Sequence, residues 1–344
     1  MNCLLNPIGL SLVKTHVLSK QREFLEQPEI VELIKYQELF SGISHSQSIE
    51  PDGAEAYLRS DNLRLRQLRQ KYDSLLLPVV DHSAWTDGYV SRQVDLHYFR
   101  GDGAYLYQYR DRNLPINYIL TAYYVKAIDT LGLLDNLTED ALFGAYVFEV
   151  NRLTVSRDLL DSIVEIYFLE RNLGLSRSNF NCLDIGAGYG RLAYRIVSAF
   201  PRGGKVFCVD SVAESTFLCE YYLRFRGVEK KAITVPLYEI EDVLDSNPVD
   251  VAINVCSFPE CTLASTSWWL DLLQKHSVRY LMIVPNHTRG LRSTEKQEPR
   301  HLDLSSAIAS SGYKLIAKDP KYLDSSVQRY GITPTFHYLF ELKR

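Results

Sequence analysis

The stretch CLDIGAGYGRLAYRI, which begins at Cys182, leaves a chain few ways to fold. Its short apolar run ends in an acid, Asp184, and glycines follow at every second position: Gly186, Gly188 and Gly190. An amphipathic pattern then opens. This is what a buried strand turning sharply into a helix requires, with a backbone bare enough for a ligand to approach closely. The helix that follows aims the positive end of its dipole at the loop, where a nucleoside or phosphate can sit.

The strand–helix rhythm continues toward the C-terminus. Strands are expected at CLDIG (from Cys182), KVFCVD (Lys205), AITVP (Ala232), VDVAINV (Val249) and YLMIVP (Tyr280), each leading to a helical segment. Such alternation predicts an α/β fold, a parallel sheet with helices on both faces. After the helical segment LDLSSAIASSG come two more strands, YKLIAKD (Tyr313) and TFHYLFEL (Thr335). The PKYLDSSVQRYGITP between them carries no convincing helix, and strands joined without a crossover helix pair antiparallel. The expectation is a seven-stranded sheet whose last strand is reversed.

Residues 1–175 read as a separate, mainly helical N-terminal domain, and residues 176–344 as the sheet domain. Helical spacing recurs in EIVELIKYQELF (from Glu29), AYLRSDNLRLRQLRQKYDSLLL (Ala56), INYILTAYYVKAIDTLGLL (Ile116) and RDLLDSIVEIYFLERNLG (Arg157). The last ends in Asn-Leu-Gly, a C-cap sequence. VDLHYFRGDGAYLYQYR (from Val94) alternates around Gly101-Asp102-Gly103 and suggests a hairpin. The tyrosine-rich segment from Trp85 to Tyr124 serves either to pack helix on helix or to form a substrate lid and pocket. The basic run LRLRQLRQK sits in an amphipathic helix where Leu65, Leu68 and Tyr72 share a face, so its arginines are expected on a solvated face.

Composition excludes several classes. A net charge of -4 gives no basic footprint for a nucleic acid. No run approaches the ~20 apolar residues that span a bilayer, and no basic stretch precedes the weakly apolar N-terminal segment. The six cysteines form no CxxC pair, and Cys182 and Cys208 fall in buried strands. The expectation is a reduced, cytoplasmic protein without a membrane partner; an oligomer is compatible with the sequence.

The glycine spacing narrows the ligand. A dinucleotide site is marked by GxGxxG, but here Arg191 stands where the third glycine of that motif belongs. Asp-x-Gly-x-Gly-x-Gly, from Asp184 to Gly190, resembles the pattern of class I S-adenosylmethionine-dependent methyltransferases. Asp210 ends the second strand, where a carboxylate can accept both hydroxyls of a ribose; Ser211 follows it. That feature alone also suits NAD enzymes, whereas the reversed last strand matches the methyltransferase sheet. The resemblance implies a Rossmann-like fold with S-adenosyl-L-methionine as cofactor, held by Asp184, Gly186, Ala187, Gly188, Gly190, Asp210, Ser211, Asn254 and Ser257.

The segments DIGAGYGRLAYRI, VDSVAEST, INVCSFPECTL, YLMIVPNH and RYGITPTFHYLFEL are similar to the sugar O-methyltransferase family of bacterial polysaccharide and natural-product clusters, as are YLYQYRD and SRDLLDSIVEIYFLE. The likeness spans roughly residues 85–344 and includes the spacing of Asn254, Ser257 and Glu260; the family usually has Met where this chain has Cys261. It implies a sugar-like acceptor. Asn254, Ser257 and Glu260 follow the fourth strand, Asn286 and His287 the fifth, and His337 opens the last, so all reach the ligand-binding edge. Methyl transfer to a sugar hydroxyl needs a group to remove its proton. His287 is the favoured proton acceptor, Glu260 its partner or a sugar ligand, and His337 the reserve. A divalent metal held by Glu260 and His287 is compatible but not indicated. The bland alternatives are that Asn254 and Ser257 cap a loop, that Glu260 is the acid at a helix start, and that His337 is a core histidine. The functional alternatives are methylation of a non-sugar small molecule, a distant NAD(P) oxidoreductase, and a binding protein of this fold without catalysis.

Overall fold

The computed structural model of the chain describes residues 49–81, 84–101, 103–106, 115–150, 152–286, 290–297 and 300–343. The helix expected over residues 29–40 lies outside them. The described helices of six residues or more are α1 (Leu63–Asp73), α2 (Asp87–Gln93), α3 (Pro115–Ile128), α4 (Arg157–Leu173), α5 (Arg191–Ala199), α6 (Ala213–Phe225), α7 (Ile240–Ser246), α8 (Leu263–Lys275), α9 (Ser305–Ser310) and α10 (Ser325–Tyr330). The strands are β1 (Phe148–Val150), β2 (Leu153–Val155), β3 (Cys182–Ile185), β4 (Val206–Val209), β5 (Ala232–Val235), β6 (Val251–Val255), β7 (Tyr280–Val284), β8 (Arg292–Gln297), β9 (Arg300–Asp303), β10 (Tyr313–Pro320) and β11 (Phe336–Leu342).

Seven strands form one sheet in the order β10-β11-β7-β6-β3-β4-β5. β3 to β7 run parallel, and β11 runs antiparallel to both β7 and β10. This is the expected seven-stranded α/β sheet with its last strand reversed. All four residues of β3 and of β4 are buried, which is why, Asp184 apart, these strands read as apolar runs and not as alternating ones. The strand order reverses between β3 and β6, so their carboxyl ends open the crevice where such sheets bind ligands.

α4 packs against α5 and α3, and its residues from Arg157 to Leu169 are buried without interruption. Ser156 caps its start by accepting the Leu159 N–H at 3.0 Å, and Gly174 ends it in the left-handed conformation, as Asn-Leu-Gly suggested. Its buried charged residues are paired rather than solvated, as described below.

Local expectations are refined at several points. The basic face of α1 is not wholly solvated: Leu65, Leu68 and Tyr72 are buried as expected, but Arg64 Nε donates to Glu220 at 2.9 Å and Arg69 Nε to Glu214 at 2.8 Å, both on α6. Of the hairpin expected from Val94 to Arg110, Asp102 and residues 107–110 lie outside the described residues; in the described part Asp95 accepts the N–H groups of His97 and Tyr98 and bends the chain there. A short helix, α10, does interrupt the β10–β11 connection; Asp324 caps it by accepting from Ser326 and Val327 at 2.9 Å. Two small hairpins, β1–β2 and β8–β9, add to the elements read from the sequence.

Candidate active site

The loop after β3 depends on its glycines. Gly186 and Gly188 have φ of 71° and 57°, and a Cβ at Gly186 would lie 2.3 Å from Ser257 Oγ. At Gly188 it would lie 2.9 Å from the ring of Tyr105. The loop therefore has both the strained backbone and the close neighbours that only glycine accommodates. Gly190 accepts the first helical N–H bond of α5, from Tyr194.

Asp210, just past β4, fixes this loop. Its Oδ2 accepts the Gly188 N–H and its Oδ1 the Val212 N–H, both at 2.9 Å. Each oxygen retains acceptor capacity, since a carboxylate offers about four lone-pair sites. Tyr72 of α1 donates from its hydroxyl to the Asp210 carbonyl at 3.2 Å and also contacts Thr216, so the N-terminal half braces the β4 end. Burial pushes the Asp210 carboxyl up to about 6, against the two backbone donors. Burial pushes Asp184 further, to about 7, with only partial relief from the Arg191 guanidinium; no described group hydrogen-bonds its carboxylate.

Arg191, where a dinucleotide motif would place glycine, turns its side chain onto α4. It donates to Ser162 Oγ at 2.8 Å and to Glu165 Oε1 at 3.1 Å; Glu165 Oε2 lies 2.9 Å from Nη1 without hydrogen-bond geometry. Next to this pair, Asp161 accepts from Lys321 Nζ at 2.6 Å and from Arg157 Nε at 3.1 Å. Lys321 also donates to the Ile332 carbonyl at 2.9 Å, which ties the β10–β11 connection to α4. Burial raises Asp161, but Lys321 and Arg157 outweigh it and hold the carboxyl below its ordinary value.

Glu260 occupies the turn after β6. Its Oε2 accepts the indole N–H of Trp85 at 2.6 Å and its Oε1 the side-chain amide of Asn286 at 2.9 Å. Burial raises the Glu260 carboxyl and the two donors pull it back only in part. The Trp85 ring stands 5.5 Å from Tyr105 and 5.4 Å from Tyr89. Cys256, at the end of β6, has a φ of 64°, a strained conformation of the kind that collects at functional sites.

One cleft joins these groups. Asp184, Gly186, Ala187, Gly188, Asp210, Ser211, Ser257, Glu260 and Asn286 all line it. Gly190 and Asn254 do not: Gly190 starts α5, and Asn254 is fully buried, donating to the Ile185 carbonyl at 3.0 Å and accepting the Phe258 N–H at 2.8 Å. His337 does not line it either. It is 1% exposed, edge-on to Phe168 at 5.1 Å, and burial lowers it to about 3, so the ring stays neutral. His287 and Tyr109 lie outside the described residues. Among the described residues no three His, Cys, Asp or Glu side chains are grouped to hold a metal, and no helix is long and apolar enough to cross a membrane.

Sequence reasoning did not single out Trp85 as a partner of Glu260, nor Arg157, Asp161, Glu165 and Lys321 as cleft residues. A signal was present for the α4 set: Arg157, Asp161 and Glu165 recur every four residues along the helix, which puts them on one face.

No protein-family model matches the sequence, and no curated protein matches it. Solved structures do resemble it. Magnesium protoporphyrin IX methyltransferase from Synechocystis is 12% identical with a TM-score of 0.36, over 53% of this chain and 77% of that one. An S-adenosylmethionine-dependent methyltransferase from Aquifex aeolicus is 16% identical with a TM-score of 0.40, over 52% and 89%. Mitomycin 7-O-methyltransferase is 15% identical with a TM-score of 0.38, over 54% and 57%. At these values nothing about ligand or reaction rests on the likeness, and both must be argued from the cleft.

Proposed function

We propose that this chain is an S-adenosylmethionine-dependent O-methyltransferase acting on a hydroxyl of a sugar or glycosylated small molecule. The observation that carries the cofactor is the acid-rich glycine cleft. Asp184 is buried beside the loop with no hydrogen bond from a described group, and Asp210 waits at the β4 end; burial raises both. Such a site favours a ligand bearing positive charge, and S-adenosylmethionine carries a sulfonium and an ammonium. A pyrophosphate would bring negative charge to the same acids. In this reading Asp210 takes the ribose hydroxyls, Asp184 the ammonium, and the loop backbone from Gly186 to Gly188 the closest approach.

The cofactor supplies an electrophilic methyl group on sulfur. The chain must align the acceptor hydroxyl and take its proton. Glu260 is the described cleft residue best placed for that proton, being buried, raised and held by two neutral donors. The aromatic faces of Trp85 and Tyr105, beside polar Asn286 and Thr335, suit the mixed apolar and polar surface of a sugar. We take residues 1–175 to contribute the acceptor wall and residues 176–344 the cofactor site. The free buried cysteines suit a reducing, cytoplasmic setting.

Calorimetry with S-adenosylmethionine and with NADH tests the cofactor directly; binding of NADH alone would overturn the proposal. Asp210→Ala should weaken S-adenosylmethionine binding by about 1.5–3 kcal/mol, the worth of hydrogen bonds to a charged group. Circular dichroism on the same sample checks that the variant is folded.

The raised acids add a pH signature. Burial favours their protonated forms in the free protein, and a bound cation favours the ionised ones. Affinity for S-adenosylmethionine should therefore climb with pH and level off above about 7, where Asp184 is ionised. The climb should be steeper below about 6, where Asp210 also titrates. Calorimetry across that range, with Asp184→Asn flattening the upper part of the curve, is the check; a flat curve for the unaltered chain removes Asp184 from the site.

A further inference from the structure

Glu260 is held by a residue 175 positions away in the chain, and the identity of that residue bears on its chemistry. An indole N–H is a donor only and does not titrate near neutral pH. It can steer a carboxylate without neutralising it, and it holds no proton that competes for the base. A lysine or arginine in its place would pull the carboxyl down by Coulomb attraction and make it a weaker base. Burial is the largest influence on the Glu260 carboxyl, in the upward direction, and the Trp85 hydrogen bond opposes it only in part.

The donor is itself fixed. Tyr89 stands edge-on to the indole at 71°, Tyr105 lies tilted against it, and the Tyr105 hydroxyl bonds Ser215 Oγ on α6 at 3.1 Å. On the far side of the carboxylate, the Asn286 amide can present only its nitrogen, because its oxygen would face a like partial charge. Glu260 is thus held at each oxygen by a neutral donor, one from the N-terminal half and one from just past the end of β7. Among the described residues, the other ionisable groups whose charge is felt with that of Glu260 include Asp210, Cys256 and Cys261.

We propose that Trp85 is a positioning residue for the reaction: its indole N–H fixes the Glu260 carboxylate in the orientation that accepts the acceptor's proton, and so couples seating of the N-terminal segment to readiness of the base. The proposal rests on Glu260 as proton acceptor, but the contact can be tested without cofactor or acceptor.

The chain has three tryptophans, so a 15N-tryptophan-labelled sample gives three indole N–H signals. One of them should move as pH falls through the Glu260 titration, and in Glu260→Gln that movement should vanish. In a 13C-glutamate-labelled sample, Trp85→Phe should raise the Glu260 midpoint by about one pH unit, a roughly tenfold change in its protonation equilibrium, since loss of a donor to the charged form disfavours it. Three indole signals indifferent to pH overturn the proposal even if Trp85→Phe fails to fold. An unchanged Glu260 midpoint in a folded Trp85→Phe overturns it too. Failure of S-adenosylmethionine to bind in calorimetry would sink the proposed function while leaving these titrations intact, so the two readings fail separately.

Discussion

Glu260→Gln should lower kcat by about 10²–10⁴-fold while S-adenosylmethionine still binds within about twofold, the usual worth of general-base assistance. A sugar hydroxyl is a poor nucleophile near neutral pH, so oxygen gains strength only as its proton leaves. Glu260 can take that proton because burial raises its carboxyl while two neutral donors keep the ionised form accessible. Glutamine preserves the size of the side chain but cannot take the proton. Its amide also satisfies only one of the two donors, Trp85 and Asn286, with its single oxygen. Glu260→Asp, which keeps the charge on a shorter arm, should fall between the two. Transfer of labelled methyl groups to a panel of simple glycosides, with calorimetry on the same preparations, measures both quantities. The acid limb of the pH profile should disappear in Glu260→Gln. Full kcat in that variant would move the base elsewhere, with His287 next in line.

The sheet was legible because its signals are local. Val206–Val209 is apolar throughout and Cys182–Ile185 apolar but for Asp184, since both faces are covered, and Gly186 and Gly188 are where the backbone must turn left-handed. Even the reversed last strand could be foreseen, from the absence of a long helix between Tyr313 and Thr335; the six-residue α10 is too short to act as a crossover. The acceptor side was less legible because its contacts join distant parts of the chain. Trp85 reaching Glu260, Lys321 reaching Asp161 and Tyr72 reaching Asp210 leave no periodicity to read. His337 shows the converse. Its position at the start of the last strand put it at the right edge, but strand alternation turned its ring toward Phe168 and away from the cleft.

Asp158→Asn should destabilise the fold by about 3–5 kcal/mol, the cost of removing one partner from a buried ion cluster. Asp158 is fully buried on α4. Its Oδ2 accepts from Arg100 Nε at 3.2 Å and from the Tyr189 hydroxyl at 2.8 Å, and its Oδ1 faces Arg195 Nη2 at 3.3 Å. Glu139 closes the ring, accepting from Arg100 at 2.6 Å and from Arg195 at 2.8 Å. Burial alone would raise the Asp158 carboxyl, but Arg100 and Arg195 outweigh it and hold it well below the usual carboxylate range. A folded-state value depressed in this way contributes stability above the unfolded value of ~3.9, and loses it as pH falls through the folded one. The deficit of Asp158→Asn should therefore be full at pH 7 and shrink below about pH 4, as the unaltered carboxyl is protonated. Urea unfolding at several pH values reads this out. Adding Arg195→Met should recover part of the loss, because it removes a guanidinium left without its counter-charge. Since Tyr189 belongs to the glycine loop, the same cluster anchors the ligand-binding turn to α4. A loss under 1 kcal/mol at pH 7, or strict additivity with Arg195→Met, would mean that the cluster does not anchor the ligand-binding turn to α4.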